Sequence, residues 1–109
     1  LTMITRATIH IILHFLVPAG ISFSLFRKFF FMTWLIMMLA MIIDLDHFLA
    51  DPIYDPHRCS INFHPFHTYW ALTGYCALLL IPKTRILGIG LLVHFILDSI
   101  DCIWMVYLK

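Results

Sequence analysis

Ten side chains of this sequence could ligate a metal ion or carry a proton, and they fall in four groups. These are His10 and His14; Asp44, Asp46 and His47; His64 and His67; and His94, Asp98 and Asp101. Within the groups the members are mostly three or four residues apart, which places them on one face of a helix. Asp46 is out of step: on an unbroken helix it points well away from Asp44 and His47, and it joins them only if the helix loosens before Asp51-Pro52. Imidazole nitrogen and carboxylate oxygen without thiolate suit Zn²⁺, Mn²⁺, Fe²⁺ or Ni²⁺ and disfavour Cu(I) or an iron–sulfur cluster. A catalytic zinc takes about three or four ligands. The surplus would serve a second ion, carboxylates that orient the ligating histidines, or a general base.

Each group lies in or beside a long apolar stretch, where an unpaired charge at mid-membrane costs roughly 2.5–3.5 kcal/mol on insertion scales. A helix needs about 20 apolar residues to cross the hydrocarbon core, and four stretches qualify, at 4–26, 29–50, 64–81 and 86–108. Arg27-Lys28 separates the first two, Asp51-Pro52 stops the second, Pro65 suits the first turn of the third, and Pro82-Lys83-Thr84-Arg85 turns into the fourth. Pro18 should kink the first span and free a carbonyl near His14. Short connections make antiparallel neighbours, so the expected fold is all-α, a four-helix transmembrane bundle running up-down-up-down.

The 109 residues are 62% hydrophobic and 12% charged, with a mean hydropathy of +0.96. A soluble domain of this length has no core large enough to hide so much apolar surface. A net charge of +1 leaves no basic stripe for phosphates, which excludes nucleic acid as a partner. Nothing divides residues 1–109 into more than one domain, and the first stretch lacks the small-residue site of a cleavable signal peptide. Arg27, Lys28, Lys83 and Arg85 crowd two short loops, whereas Arg6, Arg58 and Lys109 are spread over the other side. The positive-inside rule therefore places the short loops in the cytoplasm and both termini outside, in the periplasm of a bacterial inner membrane. With the chain reversing direction at each turn, all four polar groups arrive at one depth, on the outer side.

The expected metal set is Asp44, His47, His64, His67, His94 and Asp98, with Asp46 or Asp101 as general base and Arg58 as a clamp for a phosphate. His10, near the helix start, reads equally well as an interfacial residue, and His57 as a solvated one. Asp51 and Asp55 precede prolines and cap turns. Met32, Met37, Met38 and Met41 read as lipid-facing bulk, and Cys76 as a small buried hydrophobe. Cys59 and Cys102 are both expected near the outer surface, within reach of a disulfide.

The order Asp44-Leu-Asp-His47, His64-Pro-Phe-His-Thr68 and His94-Phe-Ile-Leu-Asp98 resembles the bacterial membrane-bound metal-dependent hydrolases, a LexA-binding, inner-membrane-associated family, over nearly the whole chain. The resemblance implies that His14 is the ligand of the first span. It also matches Asp44, Asp46 and His47 to the family's acidic motif, His64 and His67 to its paired histidines, and His94 and Asp98 to its last element. Ile43 stands where that family has proline, and the paired histidines are set closer together. The segment Asp51-Pro-Ile-Tyr-Asp-Pro-His-Arg-Cys-Ser-Ile-Asn-Phe-His-Pro65 is similar to a short, uncharacterised branch, a domain of unknown function. The function expected is metal-dependent hydrolysis, with Zn first and Mn or Fe next, of an ester or phosphoester at the periplasmic face, the substrate being a membrane lipid or lipid-linked. The alternative is a non-enzymatic, metal-stabilised accessory subunit of a larger membrane complex or a homo-oligomer. A haem-binding bundle and a transporter fit less well, because the site is dense in carboxylates and lies on one side only.

Overall fold

A computed structural model describes residues 3–51 and 58–107. Expectations for Asp55, His57 and Lys109 fall outside the described residues. Among those described the chain is all-α: α1 is Met3–Leu25, α2 is Phe30–Met38, α3 is Tyr69–Leu79 and α4 is Arg85–Tyr107. Short 3-10 turns cover Arg27–Phe29 and Pro65–His67, and α2 continues without a break into a 3-10 helix over Leu39–Leu49. Helix α4 is central and packs against α1, α2 and α3.

The two long legs that face α4 bury their stripes with different periods. In α1 the inward residues are Arg6, His10, His14, Pro18 and Ser22, each four apart, as an α-helical face requires. Along the second leg they are Met37, Ala40, Ile43 and Asp46, each three apart. At about 100° per residue an α-helix would turn Asp46 to the side opposite Met37; at about 120° the 3-10 helix keeps the two in line. The same winding stacks Asp44 above His47. Runs of 3-10 helix this long are uncommon, and here the change of period is what carries Asp46 into the interior.

Gly90 marks the closest approach of α4 to α2. A Cβ there would lie 2.7 Å from both the Cα and the carbonyl oxygen of Met37, which only glycine avoids. Pro18 sits buried within α1, where it lacks the N–H that would bond the His14 carbonyl. Around these contacts the usual sidedness is inverted. Leu16, Phe31, Leu49 and Trp70 point outward, whereas Arg6, Asp46, His67, His94 and Asp98 are buried. That is the arrangement a chain in lipid needs. Met37 is also buried, at 1% exposure, and so is core rather than lipid-facing bulk; free Cys76 is exposed, against the expectation of burial.

Among the described residues, three legs are long and apolar enough to cross a membrane, Ile4–Leu25, Arg27–Leu49 and Arg85–Tyr107. The span expected at 64–81 is divided. Its first residues form the Pro65–His67 turn, Thr68 adopts an extended conformation, and the Thr68 hydroxyl accepts the Ala71 N–H at 3.2 Å to start α3. The 11 residues of α3 are about 16 Å long, well short of a hydrocarbon core of about 30 Å.

Candidate metal centre

His67 is the hub. It ends the Pro65–His67 turn, which Asn62, Tyr75 and Asp46 pin in place. Asn62 takes a left-handed conformation (φ 63°) that asparagine tolerates well, donates its N–H to the His67 carbonyl at 3.0 Å and accepts the Tyr69 N–H at 3.2 Å. The Tyr75 hydroxyl donates to the Phe66 carbonyl at 2.6 Å. Asp46 Oδ2 accepts the Phe66 N–H at 2.9 Å and the His67 Nδ1–H at 2.8 Å. A carboxylate can only accept, so the bond to Asp46 puts a proton on His67 Nδ1 and turns Nε2 inward as the nitrogen that meets the other carboxylates.

What Nε2 faces is a ring of further donors. Asp98 Oδ2 lies 2.8 Å from it, Asp44 Oδ1 3.3 Å and His94 Nε2 3.4 Å. His94 Nε2 is in turn 3.0 Å from Asp44 Oδ1 and 3.2 Å from Asp98 Oδ2. A tetrahedral ion with bonds of about 2.0 Å needs donors about 3.3 Å apart, so the spacing fits. So does the burial: the Asp98 side chain is 6% exposed, and its Oδ2 meets both imidazole nitrogens. Two imidazole nitrogens and two carboxylates converge on one space, and such a cluster needs protons on the nitrogens or a cation among them. The four residues could therefore hold a metal ion, with Asp46 fixing the tautomer of His67, as partners of metal-ligating histidines do.

The other oxygen of Asp98 faces a second set. Oδ1 lies 3.0 Å from His10 Nε2 and 3.3 Å from His14 Nε2. His14 Nδ1–H donates to the His10 carbonyl at 2.8 Å, which leaves Nε2 as the ring nitrogen facing Asp98. His10, left open by sequence reasoning, thus belongs to the cluster; the four-residue step from His14 was the available signal.

The remaining candidates stand around this core. His47 Nε2 is 3.6 Å from Asp44 Oδ1, and with Asp46 and His67 it forms a third group of close donors. His64 is buried, packs at a tilt against His47 with ring centroids 4.0 Å apart, and has an unpartnered Nε2. Asp101 pairs with Arg6 at 3.3 Å, a partner the spacing alone did not suggest. A cavity of about 510 Å³ opens onto the cluster; His10, Asp44, Asp98 and Asp101 reach it, Arg58 stands at its wall, and Asp46 is not part of its lining. The Arg58 guanidinium lies over the Phe63 ring, 4.6 Å from its centroid. One residue further on, Cys59 is joined to Cys102 of α4 by a disulfide, Cα–Cα 5.1 Å, as their expected proximity suggested.

Fold and donor set together define a small helical protein with membrane-span-capable helices around a buried aspartate–histidine centre. Residues 3–105 match the model of the Family of unknown function (DUF6122), and the chain belongs to that family. No curated protein and no solved structure matches it. The uncharacterised family expected from the sequence is thereby supported; the likeness to membrane-bound hydrolases receives no support from these comparisons.

Proposed function

We propose that this protein is an integral-membrane, metal-dependent hydrolase of an ester or phosphoester at the periplasmic face of a bacterial inner membrane. The observation that carries the reading is the convergence of His67, His94, Asp44 and Asp98 on one point beside a 510 Å³ cavity. These four would hold the ion, Zn²⁺ first among the candidates with Mn²⁺ or Fe²⁺ next, while His47 and His64 complete the polar wall. When bound, a divalent ion would supply Lewis-acid polarisation, and where its coordination leaves a position open it would lower the pKa of a water. Asp46 is too deeply buried to act as a base and instead positions His67. Asp101 lines the cavity and is the remaining carboxylate for proton transfer, its orientation held by Arg6. Arg58 is placed to bind a phosphate oxygen. Ile11, Phe48 and Met105 on the wall favour a substrate with an apolar tail, a membrane lipid or lipid-linked molecule.

Orientation and the fourth crossing belong to the same reading. A disulfide persists in an oxidising compartment, which supports placing Cys59, Cys102 and the polar centre on the periplasmic side with both termini. The leg from His67 to Arg85 starts at the depth of the centre and ends at the far end of α4, which supports α3 with its flanking turns as the third crossing of four.

A second reading has its own support. Four protein donors close a tetrahedral sphere, the mark of structural rather than catalytic zinc, and this favours a metal-stabilised accessory subunit within a larger membrane complex or a homo-oligomer. Protein purified in detergent should retain near-stoichiometric divalent metal, and the double substitution His94→Ala, Asp98→Ala should abolish it. Metal-free protein with an intact fold would overturn both readings. Loaded protein that cleaves neither p-nitrophenyl phosphate, nor a short-chain ester, nor phospholipid would decide for the accessory subunit.

A further inference from the structure

Among the described residues, Asp98 is the one carboxylate that belongs to two different donor sets, one at each oxygen. Oδ2 turns to His67, His94 and Asp44, and Oδ1 turns to His10 and His14. All donor atoms in each set lie within 4.8 Å of one another. The Asp98 side chain is 6% exposed, and a carboxylate this buried does not contact four imidazoles by accident of the surface. A carboxylate shared in this way is the bridging ligand of two-metal centres.

We infer that the centre binds two divalent ions bridged by Asp98, the second held by His10, His14 and Asp98 Oδ1. The inference rests on the metal-dependent reading above and deepens it. The two positions differ in what they leave open. The Asp44–His67–His94–Asp98 set supplies four protein donors and fills a tetrahedral sphere, and neither His67 nor His94 reaches the cavity. The second set supplies three, and two of those residues, His10 and Asp98, line the cavity. Three protein donors with a position left for water or substrate is the pattern of a catalytic site. The closed position is then the anchor, and the second position is the one a substrate meets. His14 is prepared for this role by its own backbone, since the bond from Nδ1 to the His10 carbonyl fixes Nε2 as the ligating atom.

The test is Mn²⁺ binding to the purified full chain in detergent, read by metal analysis and by electron paramagnetic resonance. Wild-type protein should take up two Mn²⁺ per chain and give the broadened spectrum of a spin-coupled pair. His10→Gln and, separately, His14→Gln should each reduce the count from two to one and restore the six-line spectrum of an isolated ion, with helicity by circular dichroism and the disulfide intact. One uncoupled ion in the wild type would overturn the bridged pair and leave the metal-dependent reading standing. No ion would overturn both. A count of two that neither substitution lowers would overturn the assignment to His10 and His14.

Discussion

The second leg, α2 with its 3-10 continuation, meets α4 twice, and the two meetings are built from opposite materials. Towards the basic turns they touch backbone to backbone, with Gly90 against Met37 and Ala40, Ile43 and Leu91 closing the seam. One or two turns further on, the same two legs face each other through Asp44, His94 and Asp98, with His67 inserted between them. The first contact gains from every approach and requires nothing from outside the chain. The second has carboxylates and imidazole nitrogens crowded on one point, so its stability depends on what neutralises them. The disulfide lies at this second end, tying the Arg58–His64 loop to α4. Covalent restraint thus lies at the end whose contacts are made by carboxylates and imidazoles.

The largest effect that would sharpen this contrast is expected from the disulfide. Cys102→Ser should lower stability by about 4 kcal/mol in the chain-entropy model for a closed loop of this size, measured by thermal unfolding in detergent with and without reductant. Loss confined to the Gly90 seam, with the histidine end unaffected, would break the comparison. Asp46→Asn should weaken metal affinity by about 10–100-fold, because the amide no longer holds His67 by a charged acceptor. Competition with a chromophoric chelator reads this directly, and unchanged affinity would remove Asp46 from its positioning role. Gly90→Ala should cost about 1–3 kcal/mol by overpacking against the Met37 backbone. Gly20→Ala provides the control, since nothing lies within 4 Å of its added methyl, and it should stabilise α1 by under about 1 kcal/mol. If both glycines respond alike, the seam is not the close contact described.

The convergence of the aspartates and histidines was legible because it depends only on antiparallel legs and on which end of each leg is polar. His14, Asp44, His67, His94 and Asp98 come together as that logic requires. The place of Asp46 was not legible, because residue spacing is read against a fixed 3.6-residue turn and the second leg winds at three. The same assumption hid the full line of Met37, Ala40, Ile43 and Asp46. The short α3 has a local sign in the sequence. Thr68 is a good N-cap, and it stands after Pro65, so the apolar run from 64 to 81 contained its own break. The pairing of Arg6 with Asp101 joins the beginning of one helix to the end of another, and a contact over that separation leaves no mark in local sequence.

Pro18 has a mechanical consequence. Without its N–H, α1 lacks one rung of its ladder just below His14, and a helix bends most readily where a rung is missing. His10 and His14 ride on the segment beyond that point, whereas His94 and Asp98 ride on the uninterrupted α4. The centre therefore has one compliant wall and one rigid one. A load applied at the mouth of the cavity is taken up by the α1 wall, and the spacing between the imidazoles and Asp98 Oδ1 yields before the spacing around Asp98 Oδ2 does.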